Sequence, residues 1–249
     1  MIRFFRHIRK KLIEQDNARK YLLYAIGEIL LVVIGILIAL QVNNWNEERI
    51  INNQLETYYG QIRNEISSDL DRVDRQIDNL ESIVSLNERS LNLLSSGNPD
   101  SLRQLQFTLG ALATAWTVGY NYPVLQEFVE NGFLPLVDDE SLRFKLTGVQ
   151  GLLEYNSEIN SVIQNQYVQT IEPYVIETLN YQAIALDRYQ PYLIEGGPEI
   201  DFTKFSNDLE LWNQITLKLE SASMSVREQM NIRQELTELV ELLNNQLDR

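Results

Sequence analysis

The sequence contains no cysteine and a single histidine, His7. Without cysteine the chain can form neither disulfides nor thiolate metal sites. With one histidine, a Ser-His-Asp triad or a histidine-rich metal site cannot form outside the N-terminal segment. The glycine-rich nucleotide-binding patterns and the G-x-S-x-G nucleophile pattern are also missing. We therefore predict no cofactor, no metal site and no enzymatic activity.

Basic residues are scarce beyond the N-terminus. The formal net charge is −14, from 21 Lys and Arg against 35 Asp and Glu. Residues 1–20 hold seven of these basic residues and only two of the acidic ones. The rest of the chain is therefore strongly acidic, and such a surface repels nucleic-acid phosphates and anionic lipid. We expect no nucleic-acid partner.

The longest apolar run covers residues 21–42 and carries one charge, Glu28. About 20 apolar residues, rising ~1.5 Å each in a helix, cross a hydrocarbon core of ~30 Å. Two tyrosines stand at one edge of the run and Trp45 just beyond the other, as in the aromatic belts of membrane proteins. The run predicts a transmembrane helix over residues 20–42, with the lipid bilayer as its partner.

Two cleaved targeting segments are alternatives to this membrane helix. The apolar run is longer than the 7–15 residues typical of a signal peptide, and Ala39-Leu40-Gln41 is a poor cleavage site. A mitochondrial presequence would share the Arg-rich start. The length of the run favours the membrane helix.

The charge asymmetry around the span predicts its orientation. Only Arg49 is basic among the twenty residues after it, and the positive-inside bias places the basic side in the cytoplasm. We predict a cytoplasmic basic amphipathic segment at 1–19 and a periplasmic helical-bundle domain at 43–249, in a bacterial inner membrane. A disordered retention signal is the alternative for the N-terminal segment. The residues expected at the membrane surface are Arg3, Arg6, Arg9, Lys10, Lys11, Arg19 and Lys20.

Glu28 lies ~10 Å deep in the predicted span, where a carboxylate costs a few kcal/mol unless it is protonated or paired. At ~100° per residue, Val32, Gly35 and Ala39 fall on the same helix face as Glu28. The small residues Gly35 and Ala39 allow a second helix to approach closely. We predict that this face pairs helices in a homo-oligomer. A protonated carboxyl bonded to its own helix, and a proton path in a partner, remain alternatives.

The outer domain is predicted to be all-α. From Leu55 to Leu94, apolar residues recur with a mean spacing of ~3.5, typical of a coiled-coil seam, and indicate a nearly continuous helix from Asn43 to about Ser96. A second long helix, capped by Asp138, and a third after Gly196-Gly197 complete the pattern. The capping role is preferred over a carboxylate metal site at 138–140.

Two shorter helices are expected at 101–116 and 123–131, the second ending just before Gly132, and Pro173 should kink or divide the second long helix. We predict an antiparallel bundle of three long helices that continues the membrane helix. Residues 100–137, with the two short helices, should cap its distal tip, and the Gly196-Gly197 turn should lie at the opposite, membrane end. The third long helix should bury an apolar stripe made of Leu209, Trp212, Leu219, Val226, Met230, Leu236, Val240, Leu243 and Leu247.

Two stretches resemble a known family. The first is the FFR-IRKKL tail with KYLLYAIGEILLVVIGILIALQVNNWNEER at 20–49, and the second is NYPVLQEFVENGFLPLVDDESLRFKLT at 121–147. Both resemble DUF6090, a family of uncharacterised single-pass membrane proteins from flavobacterial-type Gram-negative bacteria. The resemblance implies an inner-membrane protein with a periplasmic helical domain, and it transfers no catalytic residue.

Three functions fit these features. The leading hypothesis is an inner-membrane scaffold or protein-interaction module, with another membrane or periplasmic protein as a further partner. A periplasmic sensor or transmission module is the second, although the cytoplasmic segment contains no output domain. The third is a subunit of a proton-energised membrane complex that uses Glu28.

Overall fold

The computed structural model describes residues 18–115 and 117–248. These residues form no strand, which confirms the all-α prediction. The chain divides into two compact units, Met1–Leu55 and Glu56–Arg249. The α-helices are α1 (Ala18–Ser67), α2 (Leu70–Ser96), α3 (Pro99–Arg103), α4 (Pro123–Glu130), α5 (Glu140–Gln166), α6 (Glu172–Thr178), α7 (Tyr181–Ile184) and α8 (Leu209–Leu247).

The helix predicted from residue 43 to 96 is interrupted once, at residues 68–69. There the Asp69 N–H donates to the Ile66 carbonyl at 2.9 Å, a tighter turn than that of an α-helix. The predicted seam is otherwise largely buried, with Ile62, Ile66 and Val73 fully enclosed. Near the end of α2 the buried row shifts to Ile83 and Ser90, and Ser90 donates there to the Thr108 hydroxyl at 2.6 Å.

Helices α2 and α8 run antiparallel in the second unit. Arg233 of α8 pairs with Asp74, close to the start of α2. Leu94 at the end of α2 and Leu211 at the start of α8 belong to one core cluster. The unit therefore has two ends, named here the Tyr58 end and the Gly97 end after residues that lie there.

Helix α5 also runs antiparallel to α8, starting at the Tyr58 end. Gln246 Nε2 donates to Asp139 Oδ2 at 2.6 Å, and Lys145 Nζ lies 2.9 Å from a Glu235 carboxylate oxygen. The N-cap of α5 is Asp139, which accepts the Leu142 N–H at 3.1 Å, rather than the predicted Asp138. The second long helix thus runs toward the Gly97 end.

The prediction that both short helices cap one tip was wrong. Helix α3 lies at the Gly97 end, but α4 lies at the other, where the Tyr58 hydroxyl donates to Glu127 at 2.9 Å. The turn at Gly196 was also misplaced, because its carbonyl accepts from Asn180 at 3.0 Å, next to Leu179 in the core cluster of the Gly97 end. The chain therefore returns to the Tyr58 end before α4, and the second long helix starts from that end.

The physical reason is a segment at residues 114–122, named here the strap, which is extended over its described residues 114–115 and 117–122. None of its described residues is helical. The prediction assumed a helical rise of ~1.5 Å per residue, whereas an extended chain covers ~3.3 Å per residue. At this rise a segment of nine residues spans up to ~26 Å, enough to carry the chain back along α2 before α4 begins.

Two local features modify the predicted helices. The helix expected over 101–116 breaks into α3 and the short 3-10 turns Gln104–Phe107 and Leu109–Ala111. Gly110 packs there so tightly that a Cβ atom would lie 2.4 Å from the Ile184 carbonyl oxygen. The second long helix is divided near Pro173, as predicted. The π-helical segment Tyr167–Ile171 separates α5 from α6, and Pro173 lies in the first turn of α6.

Candidate functional site

The first candidate site is the exposed apolar surface of α1. Between Leu22 and Ile50, every residue whose side chain is described is exposed except Ala25 and Glu28, which are partly buried. An 18-residue window in this region reaches a mean hydropathy of 2.6, and none of it is buried. The helix is therefore long and apolar enough to cross a membrane.

The predicted pairing face lies on this surface. Glu28, Val32, Gly35 and Ala39 occupy successive turns of α1, and the last three are exposed. A Cβ atom on Gly35 would meet no atom within 4 Å, so the described part of the chain leaves the space in front of it open. The structure thus keeps the four residues on one accessible helix face.

Most of the predicted membrane-surface residues lie outside the described part of the chain. These are Arg3, Arg6, Arg9, Lys10 and Lys11. Arg19 and Lys20 belong to the first turn of α1, and the Arg19 side chain is exposed. Their predicted contact with lipid headgroups stays a prediction.

The second candidate site is a polar row inside the second unit, which the sequence analysis missed. Helix α8 buries Leu236 and Leu243 of the predicted stripe, but Leu209 is 71% exposed and Trp212 and Met230 are also exposed. Over residues 218–229 the helix instead buries a row that is polar at its centre: Lys218, Ser221, Ser225 and Gln229. The separation of three or four positions between these residues was the sequence signal that could have revealed the row.

Lys218 is the only described basic residue that is buried, with 4% of its surface exposed. Its Nζ donates to the Thr114 carbonyl at 2.5 Å and lies 5.5 Å from the centre of the Tyr167 ring. Among the described residues no carboxylate pairs with it. Burial therefore lowers the pKa of Lys218 to about 8.

Two asparagines of α5 bind the strap. Asn160 donates to the Val118 carbonyl at 2.6 Å and accepts the Val118 N–H at 3.4 Å. Asn156 donates to the same carbonyl at 2.8 Å and accepts from Gln229 Nε2 at 2.9 Å. Gln229 also accepts from the Tyr120 hydroxyl. Buried backbone groups require such partners, so the polar row of α8 and these amides complete the packing of the strap.

The far end of the strap is held at the break between α1 and α2. The Tyr122 hydroxyl donates to Asp69 Oδ2 at 2.9 Å, and Arg72 Nη2 donates to the same carboxylate at 2.6 Å. Arg72 also lies 5.3 Å from the centre of the Tyr120 ring. These bonds to Arg72 and Tyr122 lower the pKa of Asp69 against the opposing effect of its burial.

Burial also perturbs several tyrosines of this interior. It raises the pKa of Tyr59 to about 12 and that of Tyr167 to about 12. The pKa values of Tyr120 and Tyr122 are raised as well, chiefly by burial. These hydroxyls therefore stay protonated and act as neutral hydrogen-bond donors.

No group of three or more His, Asp or Glu residues that could hold a metal ion occurs in the described ranges. At residues 138–140, where the sequence offered three adjacent carboxylates, Asp139 is engaged as the helix cap and as the acceptor of Gln246.

A comparison with protein families matches residues 28–182 to a family of unknown function, DUF6090. The chain belongs to the DUF6090 family. The DUF6090 match begins at Glu28 and includes the predicted pairing face, the strap and α5, while α8 lies beyond its end. No curated protein and no solved structure matches the chain.

Proposed function

We propose that the chain is a single-pass protein of a bacterial inner membrane that displays its helical unit in the periplasm as a scaffold or protein-interaction module. The observation that carries the proposal is the uncovered apolar surface of α1. Exposed apolar surface of this extent causes association or aggregation in water, whereas lipid solvates it. The seven basic residues before the span and the acidic sequence after it support the orientation.

Reporter fusions test the topology. A periplasm-active reporter fused after Arg249 should be active, and a cytoplasm-active reporter at the same position should be inactive. Fusions after Arg19, before the span, should show the reverse. Cytoplasmic activity at Arg249 would refute the orientation.

The proposal includes homo-oligomerisation through the face formed by Glu28, Val32, Gly35 and Ala39. Small residues allow close helix approach, so Gly35→Leu should reduce self-association of the span in a membrane two-hybrid assay. Val33→Leu adds similar volume on a different face and is the control. Equal signals from the two variants would exclude this interface.

The role of Glu28 can be separated from that of the small residues. Glu28→Gln should retain most of the association, because an amide still forms hydrogen bonds across the interface, whereas Glu28→Leu should lose more. Purification from a mild detergent adds a second measurement. Recovery of the chain with itself supports the scaffold, and stoichiometric recovery with a multi-span protein through Glu28 would favour the proton-energised complex instead.

A further inference from the structure

A surface groove of about 470 Å³ lies between α5 and α8 in the second unit. Helix α5 lines it with Tyr155, Ile159 and Val162, which follow one another at helical spacing. Helix α8 lines the other side with Leu217 and Met224, two turns apart. The two helices thus present parallel apolar rows with a channel between them.

The apolar rows are open to solvent. Val162 is 69% exposed, Tyr155 54% and Met224 44%. Single exposed apolar residues are normal on protein surfaces, but several that line one groove together offer a contiguous apolar surface to a partner. The groove extends along about eleven residues of α5, or ~16 Å, which equals three turns of a helix.

The groove is also acidic. Glu158 and Glu220 line it, both are exposed, and neither forms an ion pair with another described residue. The sequence contains no Lys or Arg from residue 146 to residue 187. On the facing part of α8 the basic residues are Lys218, whose amine bonds the Thr114 carbonyl in the interior, and the exposed Arg227, which forms no ion pair with either carboxylate. Both carboxylates of the groove are therefore left to pair with a positive charge of another molecule.

We propose that this groove binds a three-turn amphipathic helix of a partner protein, with an apolar stripe flanked by Lys or Arg. An amphipathic helix buries its apolar face in such a groove through residues at i, i+3, i+4 and i+7. The charges at the rim select a basic partner and oppose a second copy of the chain, whose own groove is acidic. The inference rests on the proposed interaction function and specifies its surface.

Binding of synthetic helices tests the groove. The full chain is placed in nanodiscs of phosphatidylcholine, which carries no net charge, and titrated against a fluorescent 14-residue Leu/Lys amphipathic peptide. A Leu/Glu peptide of the same pattern is the charge-reversed probe. Fluorescence anisotropy, corrected for empty nanodiscs, gives the Kd of each. The wild type should bind the Leu/Lys peptide and reject the Leu/Glu peptide.

Two double variants separate the apolar and charged contributions. Val162→Ser with Met224→Ser should raise the Kd at least tenfold, whereas Ile176→Ser with Ile194→Ser, at exposed positions outside the groove, should not. Glu158→Lys with Glu220→Lys should weaken Leu/Lys binding at least tenfold and create binding of the Leu/Glu peptide.

Glu81→Lys with Glu88→Lys makes the same change of net charge on the exposed face of α2 and should leave both affinities near those of the wild type. Equal effects of the two charge-reversed variants would overturn the proposal, because binding would then depend on net charge alone. Binding no stronger than to empty nanodiscs would also overturn it. So would self-association of the chain that is lost in the Val162/Met224 variant, since a second copy would then occupy the groove. None of these results alters the reporter topology, which tests the proposed function separately.

Discussion

Lys218 should make the second unit less stable at pH 7 than it is at pH 9.5. Its folded-state pKa of about 8 lies below the ordinary value of 10.5 because the amine is buried. Between these two values the unfolded chain binds more protons than the folded chain, so the free energy of unfolding rises with pH. At 1.36 kcal/mol per pKa unit, the buried charge costs about 3 kcal/mol at pH 7. About 2 kcal/mol of this should be recovered by pH 9.5.

Lys218→Met isolates this effect. The variant removes the buried charge but leaves the Thr114 carbonyl without its 2.5 Å donor, at a cost of about 1–3 kcal/mol. We expect the variant to be about 1 kcal/mol more stable than the wild type at pH 7, and about 1 kcal/mol less stable at pH 9.5. The raised pKa values of the buried tyrosines destabilise both proteins above pH 10, and this contribution cancels in the difference.

The measurement is denaturant unfolding of the full chain in detergent, followed by circular dichroism at several pH values from 7 to 9.5. Arg227→Met removes one positive charge from an exposed position of the same helix and should show no such crossover. A difference between wild type and Lys218→Met that stays constant over this range would refute the burial of a titrating amine.

Three further substitutions, each paired with a control variant, test the packing. Ile77→Asp places a charge at a buried position of α2 and should destabilise the unit by several kcal/mol. Arg75→Asp, on the exposed face, should cost well under 1 kcal/mol, and similar melting shifts for the two variants would reject the seam. Gly110→Ala should destabilise the second unit by about 2–3 kcal/mol, because its Cβ would meet the Ile184 carbonyl at 2.4 Å. Gly148→Ala, in open space on α5, should stabilise the unit slightly, and denaturant unfolding measures both effects. Asn156→Ala should lower the free energy of unfolding by about 2 kcal/mol and speed chymotrypsin cleavage after Tyr120. Asn165→Ala, at an exposed position, should do neither, and equal cleavage rates of the two variants would contradict the anchoring of the strap.

The features that the sequence predicts well are those that depend on local chemistry. The apolar run gives the first part of α1, the seam of Ile62, Ile66 and Val73 gives the helical stretch from residue 43 to residue 96, and Pro173 gives the division of the second long helix. In each case neighbouring residues on one element decide the outcome, so no knowledge of distant contacts is required.

The direction of the long helices depends on a segment without a periodic pattern. Residues 114–122 contain neither a helical stripe nor a regular alternation, and the extended conformation of those that the structure describes is stabilised by side chains distant in sequence, such as Asn160 and Asp69. A reading based on helical rise therefore misplaced α4 and the Gly196 turn. Tertiary contacts, rather than local propensity, fixed the path of the chain here.

The same strap explains why α8 buries its polar row. Two rows of α8 are spaced for burial, and the one through Leu209 and Met230 is the more apolar at its centre. Once an extended backbone lies in the interior, its carbonyls need donors, and a wholly apolar row would leave them unpaired at a cost of about 1–3 kcal/mol each. The row with Lys218 and Gln229 reaches Thr114 directly and Val118 through Asn156. The polar row of α8 and the extended strap therefore determine each other, and hydropathy alone ranks the two rows in the wrong order.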